Sequence, residues 1–426
     1  MLSFFAACLV NVLPRICRNY LNIICLLLAC TLGSNPLYAA DDVRFSGFAS
    51  IGAGKLNRND DMTFMDYDSD WSFRSDTILG LQALVNISQR WSATAQVVSR
   101  GFTFDKKSDF EPTLEWLFAK YQWTPETSTR IGRMRTPLYL YSDTLEIGYS
   151  YPWTRPPVDT YTFLLSALSD FNGIDVSTNF DLGSAYVDFR AFAGAKKGKY
   201  LEFDLEFSKI VGTNFKFHWD DISIRYGVTV AETTASSKVL EPLIAGYEFA
   251  SILDPIFSEI AEAHVTESAW FQYHGLGIQW DLDSWTLIAE QYLVNGPEEG
   301  FANDAVGWYF SLSKQMGNYV PYAVVGYYKN YFNGQVKQLV QDSESIVAPG
   351  IIPLLDTLRE IDLEVTDAYN ERGESYTLGV RYDFHANADI KFELQFLEST
   401  ALLLGDDLDS PDEETLITSI VLDVVF

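Results

Sequence analysis

Arg133 and Arg135 stand two residues apart in the run Arg130-Ile-Gly-Arg-Met-Arg-Thr-Pro137, and Asp143, Glu146 and Arg155 follow closely. None of these is a nucleophile beside a base. Their chemistry is electrostatic: fixed charges of both signs that can orient a polar solute or pair with one another. Motifs for covalent chemistry are missing. The chain has no Gly-x-Ser-x-Gly, no His-Glu-x-x-His and no phosphate loop. Its histidines are His218, His264, His274 and His385, and none stands at a recognisable hydrolase spacing from a serine. His218 lies near Asp220 and Asp221, but beside a short turn. Asp66-Tyr-Asp-Ser-Asp70 opens like a calcium loop, then fails at Trp71 and Thr77, where glycine and glutamate are needed. The reading is a non-enzymatic chain with no cofactor and no metal.

The elements that must position these charges are strands. The last residues, Glu414 to Phe426, alternate: Leu416, Thr418, Ile420, Leu422 and Val424 share one parity, and Thr415, Ser419 and Asp423 the other. About sixteen such segments can be read from period-two patterning and turn residues. They are 43–54, 74–88, 91–103, 113–123, 128–135, 171–182, 185–195, 203–219, 221–233, 269–281, 284–296, 302–315, 318–331, 373–385, 388–399 and 414–426. Every even-to-odd connection is tight, as in Trp219-Asp-Asp221 and His385-Ala-Asn-Ala388. The odd-to-even connections 55–73, 136–170, 234–268 and 332–372 are long. This asymmetry predicts an all-β, antiparallel up-and-down transmembrane barrel, with short turns on the periplasmic side and long loops outside. Trp91, Trp123, Phe180, Trp219, Trp280, Trp285, Tyr319 and Phe384 gather beside the short turns, where a girdle at the lipid boundary would lie.

A closed barrel fixes the arginines. Ile131, Arg133 and Arg135 share a strand face. An arginine facing lipid at mid-membrane costs about 2–4 kcal/mol, so this face is assigned to the lumen. The same argument turns Arg44, Arg100, Lys120, Arg190, Arg225 and Arg381 inward, with Asp175, Glu290, Asp383 and Glu393. Folded inward, loop 136–170 would bring Asp143 and Glu146 across the pore from Arg133 and Arg135. The loop also carries Tyr139, Tyr141, Tyr149, Tyr151 and Trp153, which fit either a slide for oriented solutes or the loop's own small core. Segments 239–263 and 335–366 have apolar periods near 3.6, which predicts amphipathic helices packed together over the mouth. The alternative is contact with a neighbouring protein or lipopolysaccharide.

Residues 1–40 read as a secretory signal: Arg15 and Arg18, the apolar run Leu21 to Leu32, then small residues ending at Ala39 and Ala40. Leu27-Leu-Ala-Cys30 is a competing lipoprotein-type box. All four cysteines (Cys8, Cys17, Cys25 and Cys30) fall in this segment, so residues 41–426 hold no disulfide framework. Basic residues number 30 against 58 acidic, a net charge of −28, which excludes nucleic acid as a partner. The acidic clusters at 66–70 and 406–414 suit a solvated face bridged to lipopolysaccharide by divalent ions.

With these features the chain resembles the sixteen-stranded Gram-negative porins, general and substrate-selective. The resemblance is architectural over residues 41–426. The local match is Arg130-Ile-Gly-Arg-Met-Arg-Thr-Pro137, which resembles the fifth porin strand running out into the loop that narrows the pore. It implies an outer-membrane channel for passive diffusion of small hydrophilic solutes, constricted at Arg133, Arg135, Asp143, Glu146 and Arg155. It further implies assembly by the barrel assembly machinery with Phe426 as the terminal signal, a homotrimer, and lipid and lipopolysaccharide as surroundings. The alternatives are a channel selective for sugar, phosphate or organic acid, and a plugged barrel serving adhesion or surface docking.

Overall fold

The computed structural model describes residues 42–57, 65–102, 110–161, 167–200, 203–238, 240–296, 304–331, 334–346, 352–369, 372–399 and 413–426. The signal segment 1–40 and the acids at 406–412 lie outside them.

Alternation is what makes the sheet close. In Asp304–Lys314, Ala305, Gly307, Tyr309, Ser311 and Ser313 are buried while Trp308, Phe310 and Leu312 are exposed. Small and polar groups face the interior and bulky apolar ones the exterior, as lipid outside and water inside require. Sixteen strands repeat this pattern. They are β1 (Val43–Leu56), β2 (Ile78–Asn86), β3 (Trp91–Arg100), β4 (Thr113–Gln122), β5 (Ser128–Arg135), β6 (Asp170–Asp181), β7 (Ala185–Tyr200) and β8 (Phe203–Trp219). Then follow β9 (Ile222–Ser237), β10 (Thr266–Leu282), β11 (Trp285–Asn295), β12 (Asp304–Lys314), β13 (Tyr319–Tyr331), β14 (Arg372–His385), β15 (Ala388–Ser399) and β16 (Glu413–Val425). Each pairs antiparallel with its sequence neighbours, and β16 returns to β1 to close the barrel. Closure removes every open edge, whose unpaired backbone groups would each cost several kcal/mol in lipid.

Phe426 completes the seam. Its N–H donates to Gly47 O at 2.9 Å, and Gly47 N–H donates to Phe426 O at 2.7 Å. The ring lies over Gly47, where a Cβ would collide with it. The short connections fall on one side, several with backbone in the left-handed region, as at Asp220, Asp283, Gly183 and Gly317. All eight aromatics expected beside them are exposed, from Trp280 at 39% to Trp123 at 58%.

On the opposite side, the β9–β10 connection holds helices Glu241–Ala250 and Ile256–Ala263, and the β13–β14 connection holds Gly334–Ser343 and Ile352–Tyr369. The four helices pack on one another through Leu243, Tyr247, Phe257, Ile260, Val336, Val340, Leu355 and Leu358. These are apolar residues at the 3.6 period. His264 Nε2 lies 3.2 Å from Asp362 Oδ1, both fully buried, and so ties the two connections together. Burial disfavours the His264 imidazolium, but Asp362 outweighs it and the pKa is raised.

Candidate functional site

Loop 136–170 leaves β5 at Pro137 and returns at β6. Its polar atoms meet inward side chains on many strands. Asn214 of β8 and Arg225 of β9 both donate to Pro137 O, and Tyr273 of β10 donates to Leu138 O at 3.0 Å. Leu140 N–H donates to Glu290 of β11 at 2.7 Å, and Glu290 also accepts from Tyr161 and Tyr309. Trp153 Nε1–H donates to Ser311 of β12 at 2.9 Å. Thr154 donates twice to Glu393 of β15, at 3.2 and 2.6 Å, and Ser375 of β14 donates to Asp159. Lys391 of β15 donates to Gly148 O at 2.6 Å, and Arg381 of β14 to Tyr149 O and Tyr151 O at 2.8 and 3.2 Å. A segment bonded to inward groups from β8 to β15 of a closed ring runs along the inside of that wall.

The aromatic residues of the loop are a core. Tyr139, Tyr151, Trp153 and Tyr161 are buried against Tyr273, Tyr292, Tyr309 and Tyr322. Tyr151 stacks on Trp153 at 5.9 Å between centroids, and Tyr309 meets Trp153 edge-on at 5.4 Å. A buried cluster of this kind leaves no open face for a passing solute. Asp159 is buried beside Gly326, and burial pushes its carboxyl up to about 7, with the Ser375 hydrogen bond only partly offsetting this.

The candidate charges fall into two sets. In the first, Glu146 accepts from Arg100 at 3.1 and 2.8 Å and from Arg135 at 3.1 Å. Glu115 of β4 lies 2.8 Å from Arg100 and 3.4 Å from Arg135. Two arginines and two carboxylates thus form one compact neutral group. Burial raises the Glu146 carboxyl, but Arg100 and Arg135 overrule it and hold it below the usual range. The second set centres on Arg155. It donates to Asp76 at 3.0 and 2.7 Å, to Gln395 at 3.0 Å and to Ser419 at 3.1 Å, with Glu393 at 3.7 Å. Asp143 is separate, 3.4 Å from Arg190 of β7. Arg44 shares the inward face of Phe48 and Ser50.

The parity assigned to strand 5 needs correction. Register pairs Ile131 with Ile174, and both are exposed outward at 58% and 44%. Met134 pairs with Phe171, and both are buried inside. The lumen face is therefore Arg130, Gly132 and Met134, and Arg130 pairs with buried Asp175. Arg133 carries the outward parity, beside Leu117, yet its guanidinium reaches buried Asp170 at 3.1 Å and lines the same cavity as Arg135, Glu146 and Arg155. The lipid penalty used to turn it inward applies at the bilayer midplane and falls to about 0–1 kcal/mol near the interface. Arg133 stands two residues from the strand end. Asp143 and Glu146 likewise do not face Arg133 and Arg135 across a gap: Glu146 touches Arg135 directly.

Glu115 was missed for a structural reason. The β3–β4 register shifts between Gln96 and Val97, so Glu115 and Trp116 fall out of strict alternation. Asp76 precedes β2 and carries no periodic signal. Ile131 on the supposed lumen face was the one sign in the sequence that the parity was reversed.

Among the described residues, three cavities flank the loop. One of about 590 Å³ lies between β2 and β7, around Trp116, Lys120 and Arg130. One of about 500 Å³ lies between β4 and β9, around Asp143, Arg190 and Arg225. One of about 350 Å³ lies on the long-loop side, around Arg100, Arg135, Arg155 and Lys196.

No protein-family model matches the chain, and no curated protein does. Solved structures do. The outer-membrane channel DcaP of Acinetobacter baumannii aligns with TM-score 0.55 at 12% identity, over 92% of this chain and 100% of that one. An anion-selective porin from Comamonas acidovorans aligns with TM-score 0.54 at 12% identity, over 90% and 99%. The outer-membrane protein OmpT of Vibrio cholerae aligns with TM-score 0.53 at 11% identity, over 92% and 100%. At such identities the likeness is one of fold, a closed barrel like those of outer-membrane channels and porins.

Proposed function

We propose that this chain is a porin of a Gram-negative outer membrane, passing small hydrophilic solutes down their gradients without cofactor or energy coupling. The observation that carries the reading is a closed barrel with a charged interior and cavities on both sides of loop 136–170. The exposed apolar belt and aromatic girdle fit a lipid surround. The solute path runs along the β2–β9 wall and narrows at Arg100, Glu115, Arg135 and Glu146. Solutes there exchange part of their hydration for contacts with fixed charges, so width and charge set what passes. A homotrimer in lipid and lipopolysaccharide, delivered by the barrel assembly machinery, completes the reading.

Single-channel recording of the purified, heat-modifiable barrel in a planar bilayer tests it. Stepwise conductance supports the channel. A folded barrel that inserts and stays silent favours a plugged barrel for adhesion or surface docking. The packed helices of the two long connections are the observation behind that second reading.

A further inference from the structure

The chain carries 58 acidic residues against 30 basic, yet the cavities along its inner wall show the opposite balance. Their linings together contain thirteen basic and seven acidic side chains. The one of about 590 Å³ has no acidic residue in its lining. Acids in exterior loops do not cancel this surplus, because salt screens them within about 8 Å, whereas a narrow lumen with low-dielectric walls focuses the field of its own charges.

Ion pairing absorbs part of this surplus. Lys197 and Lys199 pair with Glu206 and Asp204, Asp175 is shared by Arg130 and Arg190, and Asp170 by Arg133 and Lys196. With Asp175, Asp204 and Glu206 counted, thirteen cations still face ten acids. Lys120 lines both cavities on the short-turn side and has no ion-pair or hydrogen-bond partner among the described residues. It stands directly across the ladder from Arg130, another cation. Arg225 is sharper still. It lines the cavity of about 500 Å³ at 3% exposure, and its only side-chain hydrogen bond among the described residues goes to a neutral acceptor, Pro137 O. Its Nη1 is buried with no partner. A buried guanidinium with no carboxylate bonded to it keeps its charge uncompensated, and that charge acts on an anion in the cavity it lines.

Resting on the channel reading above, we propose that Arg225 and Lys120 form an anion station on the periplasmic side of loop 136–170. The path therefore prefers small anions, carboxylates and phosphates being the class that fits. An anion arriving there meets Lys120, Arg190, Lys216 and Arg225 against Glu126, Asp143 and Asp188, and a guanidinium already held in place by the loop. It remains mobile because the cavity is wide and Lys120 is water-facing, which lets it leave again.

The test is the reversal potential of the wild-type barrel in a potassium chloride gradient, repeated for Lys120→Gln and Arg225→Met, with heat-modifiable gel mobility as the folding check. Inorganic phosphate and benzoate are then added as competing anions on the periplasmic side. The expected result is a wild-type anion-to-cation permeability ratio above one that falls about twofold or more in Lys120→Gln, with weaker block of the chloride current by both anions. Phosphate and benzoate separate the two solute sources: block by one alone names its class. A cation-preferring wild type, or a Lys120→Gln ratio equal to wild type, overturns the station while leaving the channel intact. Because Lys120 has no side-chain partner among the described residues, that variant reads the idea even if Arg225→Met does not fold. A folded wild type with no conductance sinks the channel reading itself.

Discussion

The two halves of the lumen differ. From β10 to β16 the inner wall is occupied by loop 136–170: Glu290, Ser311, Ser375, Lys391 and Glu393 are spent on holding it, and Tyr273, Tyr292, Tyr309 and Tyr322 pack its rings. From β2 to β9 the wall faces cavities and its cations outnumber its acids. No residue beyond Arg225 lines any of the three cavities. One barrel thus uses inward polar residues for two ends: some are spent wholly on the loop, and others, as Arg100, Arg135 and Arg225 do, bond the loop and still face a cavity. Which role a residue takes depends on which side the loop leans.

The contrast predicts that changes in the filled half cost stability and changes in the open half alter selectivity. The largest effect is expected from Arg155→Ala. Removing it leaves Asp76 and Glu393 buried without their cation, and breaking such a pair costs about 3–5 kcal/mol. Thermal loss of heat-modifiable mobility should come many degrees earlier, and an unchanged transition would dissolve the distinction. Trp153→Ala removes a ring 1% exposed, at a cost of about 3–5 kcal/mol, and should also make the conductance larger and noisier as the loop loosens.

A pH effect of intermediate size belongs to the filled half. The Asp159 carboxyl is raised to about 7, so its neutral form favours the folded loop. That contribution is full below the ordinary carboxylate pKa and is lost as pH rises through about 7. Current noise should therefore increase from about pH 6 to about pH 8, and Asp159→Asn should flatten the dependence. Equal pH sensitivity in wild type and variant would remove Asp159 from the account. The helices above behave likewise. His264 is raised by Asp362, so its fastening is present at low pH and lost as pH rises through that raised value. Proteolysis of 234–268 should quicken there, and Asp362→Asn should make cleavage fast at every pH.

The smallest effect is expected from Arg133→Ala. The Arg133 side chain is 36% exposed, its partner Asp170 keeps Lys196 at 2.6 Å, and such a pair contributes about 0–1 kcal/mol. A shift in reversal potential as large as that of Lys120→Gln would make Arg133 a selectivity charge rather than a partner of Asp170.

Period-two patterning, tight turns alternating with long ones, the aromatic rows and the terminal strand were enough to determine sixteen strands, their order and their closure. Each of these is a local property of the chain, and a barrel of nearest neighbours adds nothing non-local except the seam. Strand β5 came out at 128–135 from the sequence as in the structure. The helical period of segments 239–263 and 335–366 was legible too, since a 3.6 period is as local as a 2.0 period, but the division of each into two helices was not. What faced which way at one strand was not. A bulge at Glu115, and a strand end near enough to water to tolerate Arg133, both defeat parity arguments because they depend on neighbours. The partners of the loop were wholly tertiary: Arg155 meets Asp76, Gln395 and Ser419 only because the ring brings β16 back beside β1. The sequence by itself determined the container. Which side the loop leans on, and so which charges are left for a solute, was decided by closure, because only a closed ring sets residues hundreds of positions apart within hydrogen-bond reach.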